Sequence, residues 1–272
     1  MDRQKIRWII FTGLFVIVAL AYTVEIKMVS QPSFEVKKSF DYIESLPEGT
    51  ILMVSFDHEA SSLPEVQPIS LVLIRHAFRN NLKIIGLSLF AEGTAIGYRT
   101  LNRIAAEYDK RYGYDYVFLG FKPQHIAAIL GMGESIYDVF PRDYLGHLTD
   151  TIPIMDSVEN YDDIEMVISI TDGDRAVQWI EYAGPRYNQK IMAGLTAAMI
   201  TSYDPYLSSG QLSSVIGGLK GAAEYENLYG EPGKGNRGMP AQTAAHLYLV
   251  VLIVIGNIIY FRNRKRQGRG GL

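Results

Sequence analysis

Two uncharged apolar runs, one near each end of the chain, constrain everything between them. Residues 8–24 read WIIFTGLFVIVALAYTV and residues 243–261 read TAAHLYLVVLIVIGNIIYF. Each is close to the ~20 residues with which a helix crosses a hydrocarbon core about 30 Å thick. Lipid offers no partner to backbone N–H and C=O groups, so a helix is the single-segment solution. Trp8, Tyr22, Tyr248, Tyr260 and Phe261 stand toward the ends of the runs, where amphipathic rings meet an interface. Arg3, Lys5 and Arg7 precede the first run, and Arg262, Arg264, Lys265, Arg266 and Arg269 follow the second. The positive-inside rule places both flanks in the cytoplasm, and two crossings make those placements consistent.

The expected organisation is a cytoplasmic N-terminus (1–7), a first span (8–24), an extracytoplasmic domain (25–242), a second span (243–261) and a basic cytoplasmic tail (262–272). The domain includes a connector (25–48) and a flexible linker (230–242). Ala19-Leu20-Ala21 after a basic start also fits a cleavable signal peptide, which leaves one crossing; the apolar run continues past that site, which favours a retained helix. The middle is exported on either reading.

The overall net charge of −3 conceals an asymmetry: residues 1–7 carry +2 and the tail +5, leaving about −10 on residues 25–242. Such a domain is repelled by polyanions, which excludes nucleic acid as a partner. The bilayer is the one partner the sequence names directly, and other membrane proteins or further copies of the chain are the expected protein partners. There is no cysteine, so no disulfide, thiolate metal site or cysteine nucleophile is available.

Between the spans, short apolar runs alternate with amphipathic segments. Val36, Phe40, Ile43 and Leu46 in the connector are spaced for a helix capped by Ser33 or Ser39. Strands are expected at 50–56 (TILMVSF), 83–90 (KIIGLSLF), 114–120 (YDYVFLG), 165–170 (EMVISI) and 190–195 (KIMAGL). Helices are expected at 68–80, 94–112, 124–130 and 175–183, the last closed by Gly184-Pro185. This alternation implies an α/β fold with a mostly parallel, doubly wound sheet, Rossmann-like or flavodoxin-like, flanked by N- and C-terminal transmembrane helices. Residues 131–163 break the rhythm and are expected either as a functional loop or as a cover over one sheet edge.

In open parallel sheets ligands bind beyond the carboxyl ends of the strands. Asp57, His58, Glu92, Lys122, Asp172 and Asp174 occupy those positions and are the candidate ligand-binding residues. Carboxylates and imidazole suit a divalent cation, but acids after strands also cap the next helix, the expected duty of Asp174 before Arg175. Asp172-Gly173-Asp174 begins like a calcium loop and then fails, with Val177 where glycine belongs and Ala183 where glutamate belongs. No phosphate loop, nucleophile elbow or zinc motif is present, so no cofactor or metal is expected. His58, His76 and His125 are each weighed for acid–base work, with His76 expected to be structural.

Residues 209–228, read as one helix, place Ser213, Gly217 and Gly221, and also Ser214, Gly218 and Ala222, in rows of small residues that permit close helix approach. Gly217, Gly218 and Gly221 weaken a helix, by up to about 1 kcal/mol each, and so call for a packing reason, either the domain's own sheet or another subunit. Gly256 and Asn257 in the second span are likewise suited to face another helix.

The segments GGLKGAAEYE (217–226) and GMPAQTAAH (238–246), then a final span and basic tail, with LIRHAFRNN (73–81) and AAEYDKRYGYDYVFLG (105–120) earlier, resemble a group of uncharacterised prokaryotic membrane proteins with this layout. The resemblance implies an extracytoplasmic α/β domain between two spans and assigns no activity. The expected role is that of a non-catalytic interaction or assembly component of a cell-envelope complex. The alternative is a membrane-tethered enzyme or ligand sensor, in which Asp57, Glu92 and Asp172 converge in one pocket.

Overall fold

A computed structural model describes residues 2–23 and 31–267. They fall into two compact units, Ser30–Gly235 and the terminal segments Met1–Val29 with Asn236–Leu272. Val24 of the expected first span, residues 25–30 of the connector and Arg269 of the tail lie outside the described residues.

The larger unit is built on six parallel strands, β1 (Ile51–Asp57), β2 (Lys83–Ser88), β3 (Tyr116–Phe121), β4 (Met166–Thr171), β5 (Ile191–Leu195) and β6 (Ser214–Gly217), in the order β3-β2-β1-β4-β5-β6. β1 is the origin of both halves. It pairs with β2 from Ile51↔Lys83 to Ser55↔Leu87, and with β4 from Leu52↔Met166 to Asp57↔Thr171. Both faces of the strands are buried, which is why they read as nearly continuous apolar runs.

Side-chain alternation sorts those runs into two cores. Leu52, Val54, Phe56, Ile84, Phe118, Ile168 and Met192 point to one face. Onto it pack α2 (Phe34–Ser45), α3 (Leu63–Arg79), α4 (Ala91–Glu107) and α10 (Gly218–Tyr229). Met53, Ile85, Val117, Val167 and Ile191 point to the other. That face is covered by α5 (His125–Met132), α6 (Ile136–Val139), α7 (Arg175–Gln178) and α9 (Ile200–Ser208). The expected α/β class, parallel sheet and flanking helices are therefore present.

Local differences have identifiable causes. α3 starts five residues before the expected Pro68, with Pro64 in its first turn, where a missing N–H costs nothing. The helix after β4 does not close at Gly184-Pro185: a π turn, Trp179–Ala183, leads into α8 (Gly184–Tyr187), and Asn188 at φ 53° ends it. The single helix expected over 209–228 does not form. Val215 and Ile216 favour a strand, Ser214–Gly217 pairs with β5, and Gly218 at φ 57° turns the chain directly into α10.

The small-residue rows therefore do not exist as helix rows. Gly217 packs on Ile200, Gly218 on Ala197 and Glu65, and Gly221 on Ile216, while Ala222 is buried in the core. Ser213 donates its backbone N–H to Ile191 O (2.8 Å), ahead of β6.

Residues 131–163 are a cover. Tyr144 N donates to Phe118 O on β3 (2.9 Å) and Ile154 N to Gly113 O (2.8 Å). Asp143, its side chain buried, accepts from Tyr112 Oη (2.7 Å), Leu145 N (2.9 Å) and His147 N (2.8 Å), which pins the loop. His76 is structural. It is fully buried between Tyr225 Oη (2.7 Å from Nδ1) and Glu44 Oε2 (2.6 Å from Nε2), stacked on Phe40, and burial holds its pKa below the ordinary range. One neutral tautomer satisfies both contacts, with Tyr225 donating to Nδ1 and Nε2–H donating to Glu44.

Two helices, α1 (Arg3–Thr23) and α11 (Lys234–Gln267), which belong to the terminal unit apart from the first two residues of α11, contain two stretches, Gln4–Thr23 and Lys234–Arg262, long and apolar enough to cross a membrane. Tyr248 Oη donates to Ile10 O (3.1 Å), and Gly13 leaves the room that this ring occupies. Residues 234–242, expected as flexible linker, are the first turns of α11. Gly256 has open space around it, and Asn257 Nδ2 donates to Ile253 O within its own helix (3.0 Å).

Gly93, in the first turn of α4, admits the backbone of β1: a Cβ there would overlap Phe56 O. Gly93→Ala must push α4 off the sheet, and overpacking of this kind costs about 1–3 kcal/mol. The expected outcome is a lowered thermal midpoint with native helix content retained by circular dichroism.

Candidate functional site

The order of the sheet reverses between β1 and β4, so the connections leaving their carboxyl ends diverge to opposite faces and a crevice opens between them. A cleft of roughly 500 Å³ lies there. The β1 side supplies Asp57, Glu59, Ser61, Ser62 and Glu65; β4 and its loop supply Thr171 through Arg175; Phe90, Thr196 and Ala198 complete the wall.

Asp57 forms the floor. It is the last residue of β1, 1% exposed, and accepts hydrogen bonds from Ser55 Oγ (2.6 Å) and Leu89 N (2.6 Å). Burial pushes its carboxyl up to about 6; the Ser55 and Leu89 bonds, the nearby Trp179 indole, which falls short of a hydrogen bond, and the Arg175 charge all pull the other way. Beneath it lies a polar layer within an apolar core. Ser169 is opposite Ser55 in the β1–β4 register, and Ser169 Oγ and Trp179 Nε1 are buried without a hydrogen-bond partner among the described residues.

The loops above are tied by carboxylates. Asp172 Oδ2 accepts from Glu59 N across the cleft (2.9 Å), and Glu65 Oε2, from the first turn of α3, accepts from Ala197 N (2.8 Å). Asp174 makes no helix-capping bond, contrary to expectation; its exposed carboxylate lies 3.9 Å from Arg175 Nη1. Arg175 Nη1 also donates to Gln178 Oε1 (3.2 Å) and meets His125 Nε2 at 3.2 Å. A guanidinium has no lone pair to offer, so His125 accepts and carries its proton on Nδ1; burial and Arg175 both lower its pKa.

Of the six residues anticipated from strand ends, the structure brings Asp57, Asp172 and Asp174 together. Glu92 stands outside the lining and reaches the same loop from the other side, through Ala60 N (3.5 Å). His58 is buried, its Nδ1 3.2 Å from Glu59 O and its pKa lowered by burial, and it does not line the cleft. Lys122 is apart from it, its ammonium over the Phe140 ring. Glu59, Glu65 and Arg175 were not anticipated. Glu59 lies two residues beyond β1 and was within reach of the strand-end rule; Arg175 reads simply as the first residue of a helix, and Glu65 falls before the helix expected from Pro68.

Five acidic residues and a single arginine line this cleft, a balance that repels anions. Among the described residues no group of three or more histidines, cysteines or acids is placed to hold a metal ion, and Asp172 and Glu65 already accept backbone N–H groups. Hydroxyls of Ser61, Ser62, Thr171 and Thr196 add donors and acceptors, and Phe90 adds an apolar face. Comparison of the chain with protein-family models, with curated proteins and with solved structures found no match.

Because the folded pKa of Asp57 lies above that of a free carboxyl, the native state binds more protons between about pH 4 and 6. Stability therefore falls as pH rises through that window, and above it the cost is full, about 3 kcal/mol for two units. Asp57→Asn keeps an acceptor for Leu89 N and meets Ser55 with its amide. Denaturant titrations should show this variant stabilised at pH 8 and flattened between pH 4 and 6; a slope unchanged from the parent would locate the charge elsewhere.

Proposed function

We propose that the chain is a two-pass membrane protein with both termini in the cytoplasm, and that its outward-facing α/β domain, Rossmann-like in strand order, is a ligand sensor binding a small molecule with a protonated amine in the β1–β4 cleft. The observation that carries this reading is the convergence of Asp57, Glu59, Glu65, Asp172 and Asp174 on one cavity with Arg175 as its single cation. An ammonium placed there meets carboxylates at short range in a partly desolvated site, where charge-assisted hydrogen bonds are strongest. Phe90, which also lines the cleft, supplies apolar surface for the rest of such a ligand. The hydroxyl groups suit a ligand that also carries oxygen. Asp57, charged only when its proton leaves, is the group whose ionisation the ammonium favours.

The assembly reading ranks below this one. Gly217, Gly218, Gly221 and Ala222 are consumed by packing inside the domain. Gly256 and Asn257, the two apolar helices and the lack of a catalytic motif in the sequence remain to motivate it.

Ligand class is tested with the full chain in lipid nanodiscs against spermidine, arginine and glucosamine, with citrate and adenosine monophosphate as anionic controls. At least one amine should raise the thermal midpoint, and Asp172→Ala should weaken it at least tenfold by calorimetry. Binding of the anions in preference to the amines would sink the proposal. Orientation is tested on intact cells, since the natural chain lacks cysteine. An impermeant maleimide should label Ser209→Cys from outside and reach Arg264→Cys only after lysis; the reverse pattern would invert the topology.

A further inference from the structure

The cleft is not isolated from the segments that lead toward the two apolar helices, and one helix stands between them. α10 starts at the cleft wall. Its first residue, Gly218, packs against the side chain of Glu65 and against Ala197, which are themselves joined by the Glu65–Ala197 hydrogen bond. Any side chain at 218 would meet that pair, and φ 57° is costly for other residues as well. Along its length α10 is seated on α3, through Tyr225 on His76 and the Arg79 guanidinium over the Tyr229 ring, with Arg79 Nη1 donating to Tyr229 O (3.0 Å). α3 is the helix whose first turn carries Glu65.

Two turns into α10 stand Glu224 and Glu226, each 3% exposed. Buried carboxylates are expensive unless paired, and each of these accepts main-chain N–H groups. Glu224 Oε2 accepts from Ser33 N (3.0 Å) and Ser33 Oγ (2.8 Å), which holds the start of α2; its other oxygen lies 3.6 Å from Lys220 Nζ and has no hydrogen-bond partner among the described residues. Glu226 accepts from Gly233 N through Oε2 (2.9 Å) and from Gly235 N through Oε1 (2.8 Å), which holds the first turn of α11. Ser33 is the residue by which the chain arriving from the first apolar segment is fixed, and Gly235 belongs to the helix that becomes the second. A single rigid helix of 12 residues thus touches the cleft at one end and grips both chain segments from its middle.

We infer that α10 is the coupling element of the molecule: filling the β1–β4 cleft shifts its N-terminal end, and the Glu224 and Glu226 clamps pass that shift to both segments at once. The inference rests on the cleft being a ligand site, and it assigns the domain a receptor's output. Because both clamps are on one helix, the two responses are obliged to occur together.

The test fills the cleft without needing its natural ligand. Ser61→Cys is the sole thiol of the variant, and modification with a trimethylammonium methanethiosulfonate reagent places a fixed cation in the cleft of the full chain in nanodiscs; a methyl reagent serves as the uncharged control. Hydrogen exchange at the amides of Ser33, Gly233 and Gly235 is then read by mass spectrometry. The cationic reagent should change exchange at all three amides about fivefold or more, the lower range of allosteric couplings, while Ala128 and Ile129 on the opposite face stay fixed. Coupling is reciprocal, so Glu226→Gln should also alter the rate at which the Ser61→Cys thiol reacts. Unmoved amides after full modification, or a response at one clamp alone, would overturn the inference. Amines that bind while the amides stay still overturn the coupling and spare the ligand reading; amides that respond to the tethered cation while no free amine binds spare the coupling and overturn the ligand class.

Discussion

The parallel pairing of β1 with β4 decides the rest of the molecule. Its register, from Leu52↔Met166 to Asp57↔Thr171, joins two half-sheets whose helices lie on opposite faces. Chain leaving β1 turns to one side and chain leaving β4 to the other, so neither loop can fill the space between them. The same pairing buries both strands on both sides and makes their interiors apolar. Polarity is then confined to the last turns of backbone, and the crevice is lined by whatever polar residues follow. Here the charged ones among them are acidic but for Arg175.

How legible this was depends on whether the governing contact is local. Strands buried on both faces announce themselves, and TILMVSF, KIIGLSLF and EMVISI each fall within a residue or two of β1, β2 and β4. Asp57, Asp172 and Asp174 followed from strand ends by the same logic. The four-residue β6 was hidden, because Ser, Val, Ile and Gly in a stretch rich in small residues satisfy a helical spacing as readily as an edge strand. Residues 230–240 look like a solvated linker by composition, yet their helix start is stabilised by Glu226. Glu65 reaches the cleft only because α3 begins before Pro68, and Ala197, its partner, is 132 residues away. Contacts of that kind leave no trace in spacing or periodicity.

The histidines and acids illustrate how burial sorts similar residues. His76 and His58 are each 1% exposed or less, one locked between a tyrosine and a glutamate, the other folded under its own loop. Neither faces the cleft. Asp57 is as buried as they are, but it lines the cleft, and beneath it Ser169 Oγ and Trp179 Nε1, without a hydrogen-bond partner among the described residues, carry that polarity into the core. Glu224 and Glu226 are buried too, and main-chain N–H groups meet them. Their role is therefore mechanical rather than chemical.

The two edges of the sheet carry a consequence of their own. β6 is flanked by α2, where Ser39 Oγ donates to Ser214 Oγ (2.8 Å), and β3 is shielded by the cover whose Tyr144 N–H takes Phe118 O. An open strand edge recruits strands from neighbouring chains. That hazard grows when molecules are confined to a plane, since lateral diffusion in two dimensions brings identical edges together at high local density. With both margins covered by its own chain, a domain held at a bilayer as proposed above could populate a crowded surface without zipping into ribbons, and its self-association would be left to surfaces other than the strand backbone.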